Sequence, residues 1–223
     1  MPRCDGCAMA KLPDIIPIFP LPNVVFFPRM PLPLHIFEPR YRAMVRDAVR
    51  GARLIGMVLL REDWEREYVG TPAVFGMGTV GELVRSDELP DGRFNIVLRG
   101  VREFVIHREL ARAPYREAVV SWRDAPIDAL PAPMRSGIGA LVVRYLQRTG
   151  RAEADTALAE SGVDDETFVN FLAQNLDLDM VEKQALLEAG SLGERASRLA
   201  DVLEFRLEEL RLDPEGQGIR RPH

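Results

Sequence analysis

Ile15-Ile16-Pro17-Ile18-Phe19-Pro20-Leu21-Pro22-Asn23-Val24-Val25-Phe26-Phe27-Pro28, followed two residues later by Pro31-Leu32-Pro33-Leu34-His35-Ile36-Phe37, decides the class of the fold. Helix is excluded there, because proline removes backbone donors and fixes φ, and prolines punctuate the whole run from Leu12 to Pro39. Short apolar runs between such prolines read as edge strands and extended segments joined by tight turns. Immediately afterwards Glu38-Pro39 opens a helix to about Arg50, with proline tolerated in its first turn and Gly51 as its stop. Tyr41, Met44, Val45 and Ala48 form its buried stripe.

Further along, Arg53 to Arg61 is an apolar run with a charge at each end, the signature of a strand covered on both faces. Ala73 to Val84 reads as another strand, in which Gly76, Gly78 and Gly81 suggest bulges or close backbone approach. Pro90-Asp91-Gly92 is a hairpin turn into a strand at Arg93 to Arg99. Beyond Gly100, separate strands are expected at Val101 to Arg108 and Tyr115 to Trp122. Short strands with one early helix predict a small closed or half-closed barrel rather than an alternating βαβ array.

The pattern changes after Trp122-Arg123-Asp124-Ala125-Pro126. Ile138, Leu141, Val142, Tyr145 and Leu146 have the spacing of an amphipathic helix that Gly150 ends. A second helix begins near Asp164, with Phe168, Phe171, Leu172 and Leu176 on one face, and a third runs from about Asp179 to Ala189. Ser191-Leu192-Gly193-Glu194 matches a capping box ahead of a last helix whose face is Leu192, Ala196, Leu199, Leu203 and Leu210. Helices this short must bury their stripes on each other or on the barrel. The class is therefore α+β, a small barrel or pseudo-barrel followed by a helical bundle. The expected division is a flexible leader at 1–13, a β-rich domain at 14–123, a helical bundle at 124–212 and a flexible tail at 213–223.

Composition narrows the function. With 223 residues, 47% hydrophobic and 28% charged, the chain can bury a core, and a net charge of −5 opposes broad capture of nucleic acid. Only Lys11 and Lys183 are lysines among 29 basic residues, and neither follows a glycine, which excludes a P-loop. Arginine stays protonated and supplies no ordinary general base. There is no H-E-x-x-H and no G-x-S-x-G. His35 and His107 read as half-buried structural imidazoles. Gly76-Met77-Gly78-Thr79-Val80-Gly81 matches G-x-G-x-x-G in letters, but strand continues where the dinucleotide fingerprint needs a helix N-terminus. Cys4 and Cys7 make one C-x-x-C, half of a Cys₄ zinc site, with no further ligand at finger spacing. Catalytic residues, cofactor and metal are all expected to be absent. The opening residues lack the apolar stretch of a secretory signal, and the expected location is the cytoplasm.

Ile18-Phe19-Pro20-Leu21-Pro22-Asn23-Val24-Val25-Phe26-Phe27-Pro28 with Pro31-Leu32-Pro33-Leu34 resembles the opening of the N-terminal domain of the Lon ATP-dependent proteases. Gly78-Thr79-Val80-Gly81-Glu82 looks like that family's Gly-Thr strand, Leu89 to Gly92 its hairpin, and Leu98 to Phe104 the strand after it. Glu182-Lys183-Gln184-Ala185-Leu186-Leu187-Glu188 resembles its Glu-Lys-Gln-x-Leu-Leu-Glu helix, so the likeness spans about residues 14 to 211. The resemblance implies a PUA-like barrel with a helical bundle, used to recognise unfolded or damaged polypeptides. It also implies a stand-alone form of that domain, ending where the family's ATPase and protease modules begin, with a separate protease or chaperone as a further partner and no membrane.

Candidate polypeptide contacts are Phe19, Phe26, Phe27, His35, Phe37 and Met77, the proline-stiffened aromatics and their neighbours; the competing reading is that the aromatics fill the barrel. The alternative function is RNA binding by the barrel through Arg85, Arg93, Arg99 and Arg102, which the net acidity opposes.

Overall fold

The computed structural model describes residues 12–61, 72–110, 114–124, 126, 128–149 and 162–212. The strands are β1 (Ile15–Leu21), β2 (Pro31–Ile36), β3 (Leu54–Leu60), β4 (Val74–Glu88), β5 (Phe94–Leu110) and β6 (Arg116–Trp122). Helix α1 (Pro39–Arg50) lies between β2 and β3, and α2 (Ala132–Thr149), α3 (Asp165–Asn175), α4 (Met180–Leu187) and α5 (Leu192–Leu212) follow the strands. The leader through Lys11 with Cys4 and Cys7, the stop at Gly150 and the tail at 213–223 lie outside the described residues.

The fold is α+β. Its strands form one sheet in the order β2-β5-β4-β3-β1-β6, and β5 also pairs with β6, which curls the sheet into a pseudo-barrel. Several expectations need correction. Gly100 does not divide two strands; β5 is continuous, pairing with β2 over Phe94–Arg99 and with β6 over Phe104–Leu110. What Gly100 provides is close approach, since a Cβ there would lie 2.2 Å from the Phe27 carbonyl oxygen of the turn leading into β2. Arg29 N donates to Gly100 O at 2.8 Å, and Gly100 N donates to Met30 O at 2.9 Å.

Nor is β1 an edge strand, in spite of Pro17 and Pro20. Its first half pairs antiparallel with β6 over Ile15–Ile18, and its second half parallel with β3 over Ile18–Leu21. The stagger gives each proline a neighbour on one side in this register, so neither has to serve two ladders. β4 runs four residues beyond the expected Val84, and its irregularities fall between Val80 and Gly81 and between Leu83 and Arg85 in the pairing with β5.

Two cores result. Ile16, Ile18, Leu54, Val58, Val80, Phe104, Ala118 and Val120 fill the inside of the barrel. A larger core joins the other sheet surface to α1 and the bundle, and Met57 and Leu98 belong to it together with Tyr41, Met44, Phe168, Leu186 and Leu199. The predicted stripes of α1 and α2 are buried residue for residue. At the start of α3, Asp164 accepts from Thr167 N at 3.1 Å. At the start of α5, Ser191 Oγ accepts from Glu194 N at 3.2 Å, but the Glu194 carboxylate reaches Gly190 N at 2.6 Å, one residue before the amide that a capping box would use.

Candidate functional site

One attachment of the bundle to the barrel is made by the stretch from Glu182 to Glu188. Gln184 Nε2 donates to Met77 O on β4 at 3.1 Å, and Glu182 accepts from Asp179 N at 2.9 Å and from Arg206 Nη2 at 2.8 Å. Lys183 Nζ donates to Gln174 O at 2.7 Å, closing the end of α3; burial lowers its pKa, opposed by the nearby Asp177 carboxylate. Leu186 and Leu187 are buried, and the carbonyls at the end of α4 are collected by two arginines. Arg195 reaches Leu186 O and Leu187 O, and Arg123 reaches Leu187 O, Glu188 O and Ala189 O. Both guanidiniums also meet the Glu103 carboxylate of β5. A cleft of about 430 Å³ opens at this seam, lined by Arg29, Arg102, Glu103, Arg123, Asp124 and Glu166 among others.

Sequence reasoning passed over Arg195, Arg123 and Glu103. A signal for Arg195 was present: it stands three residues after Leu192 and four before Leu199, so an arginine occupies the apolar stripe of α5.

A second concavity, of about 400 Å³, lies on the outer face of β2, β5 and β4. Register builds it. His35 stands opposite Asn95, and Asn95 opposite Asp87; Pro33 stands opposite Val97, and Val97 opposite Arg85. Alternation then sends these six side chains outward while Ile36, Phe94 and Ile96 point into the core. His35 Nδ1 lies 2.7 Å from Asn95 Oδ1, and Arg93 Nη1 lies 3.3 Å from His35 Nε2. A guanidinium only donates, so these contacts match the tautomer that carries its hydrogen on Nδ1, toward the Asn95 oxygen, and accepts at Nε2. Phe37, two residues further on the same side, is 62% exposed and stacks on the His35 ring with centroids 6.4 Å apart.

The six candidate contacts therefore separate. Only His35 and Phe37 meet on the surface. Phe19 is buried against Tyr41 with ring centroids 4.1 Å apart, Phe26 is buried, and Phe27 lies buried beneath the Arg195 guanidinium, 5.4 Å from its carbon. Met77 is half-buried at the seam, with Arg123 Nη1 3.3 Å from its sulfur. Their apolar area is spent on the cores because proline-bounded strands and turns carry them between the sheet and the helices. His35 and His107 are exposed, not half-buried, since both stand at outward positions of their strands.

Each arginine of the RNA reading faces a carboxylate: Arg85 with Asp87 at 2.7 Å, Arg93 with Asp91 at 2.6 Å, Arg99 with Glu82 at 2.9 Å and Arg102 with Asp124 at 3.4 Å. The Arg93 contacts hold the Asp91 carboxyl below its ordinary range, led by the hydrogen bond from the Arg93 amide. Gly76, Gly78 and Gly81 all lie within β4, so none of them opens a helix. No helix among the described residues is long and apolar enough to cross a membrane.

Residues 15–204 match the family described as the ATP-dependent protease La (Lon) substrate-binding domain. A Lon protease of Cytophaga hutchinsonii is 28% identical over 213 residues, covering 92% of this chain and 26% of that protein. Lon protease 2 of Myxococcus xanthus is 30% identical over 208 residues, covering 90% and 25%. The chain thus spans about a quarter of the length of the curated relatives it matches. Among solved structures, a Lon N-terminal domain protein from Xanthomonas campestris has a TM-score of 0.63 at 25% identity, covering 84% of this chain and 97% of that one. The N-terminal domain of a Mycobacterium avium complex Lon protease has a TM-score of 0.64 at 17% identity, a likeness of fold alone, covering 85% and 98%.

Proposed function

Because the chain belongs to the family of Lon substrate-binding domains, we propose that it grips unfolded or damaged polypeptide in the cytoplasm without performing chemistry on it. The observation that carries the reading to a place on the surface is Phe37, 62% exposed and stacked on His35 beside the outer concavity of β2, β5 and β4. An aromatic ring of this size in water is a natural contact for the apolar side chains that unfolding exposes. Its neighbours are already in place, since Asn95 and Arg93 fix His35, so little side-chain freedom is lost on binding. The charges on this face pair among themselves, Arg85 with Asp87 and Arg99 with Glu82, which leaves it near neutrality and suits uncharged segments. The same pairing weighs against RNA, because a phosphate would have to displace a carboxylate from each arginine.

The relatives are proteases about four times as long, and the proposal extends to delivery of the bound chain to a separate protease or chaperone. The direct test is fluorescence anisotropy of a labelled, reduced, unfolded protein titrated with this chain. Saturable binding that weakens in Phe37→Ser supports the proposal, and absence of binding at tens of micromolar defeats it.

A further inference from the structure

The direction of the peptide groups along β2 follows from one bond. Gly100 N donates to Met30 O at 2.9 Å, one step before the register that sets Pro31 against Arg99 and Leu32 against Leu98. In an antiparallel ladder, residues turning both peptide groups toward the partner alternate with residues turning both away. Leu32, Leu34 and Ile36 therefore face β5, while Pro31, Pro33 and His35 turn their backbone to the open side. That side is a sheet edge, because β2 is terminal in the strand order. Two of its three outward residues have no N–H to offer.

The third element of the arrangement comes from α3. Gln174 Nε2 donates to Pro31 O at 3.1 Å, and Gln174 Oε1 accepts from Phe27 N at 3.2 Å. One side-chain amide thus stands where a neighbouring strand would place a peptide unit, with its donor and acceptor both used.

Exposed edges commonly take up extended peptides by adding a strand, and unprotected ones pair with other copies. We infer that Pro31, Pro33 and Gln174 together close the β2 edge to strand addition, so that an extended polypeptide is held by its side chains on the outer face and not by its backbone. This rests on the polypeptide-binding reading above and says how the same face selects its client. The client class is then set by apolar side chains able to pack on Phe37 and His35, with any sequence of backbone donors tolerated.

Two measurements test it. The double variant Pro31→Val/Pro33→Val restores both amides, and Pro33→Val alone restores one in case the pair perturbs folding. Sedimentation velocity should show a concentration-dependent rise in mean mass relative to the parent chain. An unchanged mass in a variant whose circular dichroism matches the parent would mean that the prolines do not guard the edge. In parallel, a fluorescein-labelled peptide with alternating apolar residues is compared with a copy N-methylated at every second residue. Retention of affinity within about threefold supports side-chain recognition, whereas a loss of more than about tenfold, as a strand ladder demands, overturns it. Failure of the unmodified peptide to bind would count against the proposed function and leave the edge to be judged on the mass measurement.

Discussion

Arg195 on α5 and Glu103 on β5 form an ion pair 92 positions apart in the chain, with Arg195 4% and Glu103 5% exposed. Burial of two charges is tolerated because their remaining valences are filled: Arg195 Nη1 donates to Asn170 Oδ1 at 2.6 Å, and Glu103 also receives Arg123 at 3.3 Å. Removing one partner leaves the other charge buried. Glu103→Gln should lower unfolding free energy by about 3 kcal/mol in urea denaturation. A double-mutant cycle with Arg195→Met should show coupling above about 1 kcal/mol, and additivity within about 0.3 kcal/mol would contradict the pair.

Phe37 and Phe27 make opposite predictions from the same residue type. Phe37→Ser removes an exposed ring and should leave stability within about 0.5 kcal/mol of the parent while weakening client binding at least fivefold, by about 1 kcal/mol or more. Phe27→Ser empties a site beneath Arg195 and should cost about 3–5 kcal/mol. Measured side by side by denaturation and anisotropy, an unstable Phe37→Ser with unchanged binding would reverse both assignments.

What could be read in the sequence was whatever a short window decides. Tyr41, Met44, Val45 and Ala48 reveal α1 because helical spacing and burial coincide, and the apolar run Leu54–Leu60 reveals β3 because both of its faces are covered. What escaped depends on partners far along the chain. Pro17 and Pro20 predict an edge locally, yet the stagger between β6 and β3 is a property of three strands. Gly100 looks like a break until the Phe27 carbonyl is known to press on it. The aromatics Phe19, Phe26 and Phe27 share composition with Phe37, and only the packing of sheet against helices tells which ring reaches water. Arg195 announced itself only as a charge on an apolar stripe, with its partner Glu103 unidentifiable before the seam existed.

The glycines of β4 give a test of packing against phosphate binding. A Cβ on Gly78 would lie 2.2 Å from Met57 O and 2.8 Å from Val58 Cγ1, and backbone cannot give way there. On Gly76 it would meet nothing within 4 Å. Gly78→Ala should therefore destabilise by about 1–3 kcal/mol or more, and Gly76→Ala should be neutral or slightly stabilising because it restricts the unfolded chain. A nucleotide site would make both substitutions alter ligand-induced thermal shifts with little regard to steric room, so thermal melting of the two variants with and without ATP separates the readings.

Tyr115 contributes a loss of stability at alkaline pH. Burial, then its hydrogen bond to Asp47 Oδ2 at 2.9 Å and the charges of Asp47 and Glu117, push its phenol from an ordinary value of 10 up to about 12. A raised folded-state value means that the fold prefers the neutral phenol. Its contribution is complete below pH 10 and disappears as pH rises through about 12, because the unfolded chain gives up that proton first. Lys183 runs the other way: burial lowers its value beneath 10.5, so the fold gains relative stability as that ammonium is lost. Comparing the parent with Tyr115→Phe separates the two. The parent should lose stability between pH 10 and about 12 more steeply than the variant, as read by chemical denaturation at each pH, with one phenolate absorbance step delayed in the folded parent and missing in the variant. Parallel pH profiles for the two chains would show that the Asp47 contact does not hold the Tyr115 proton.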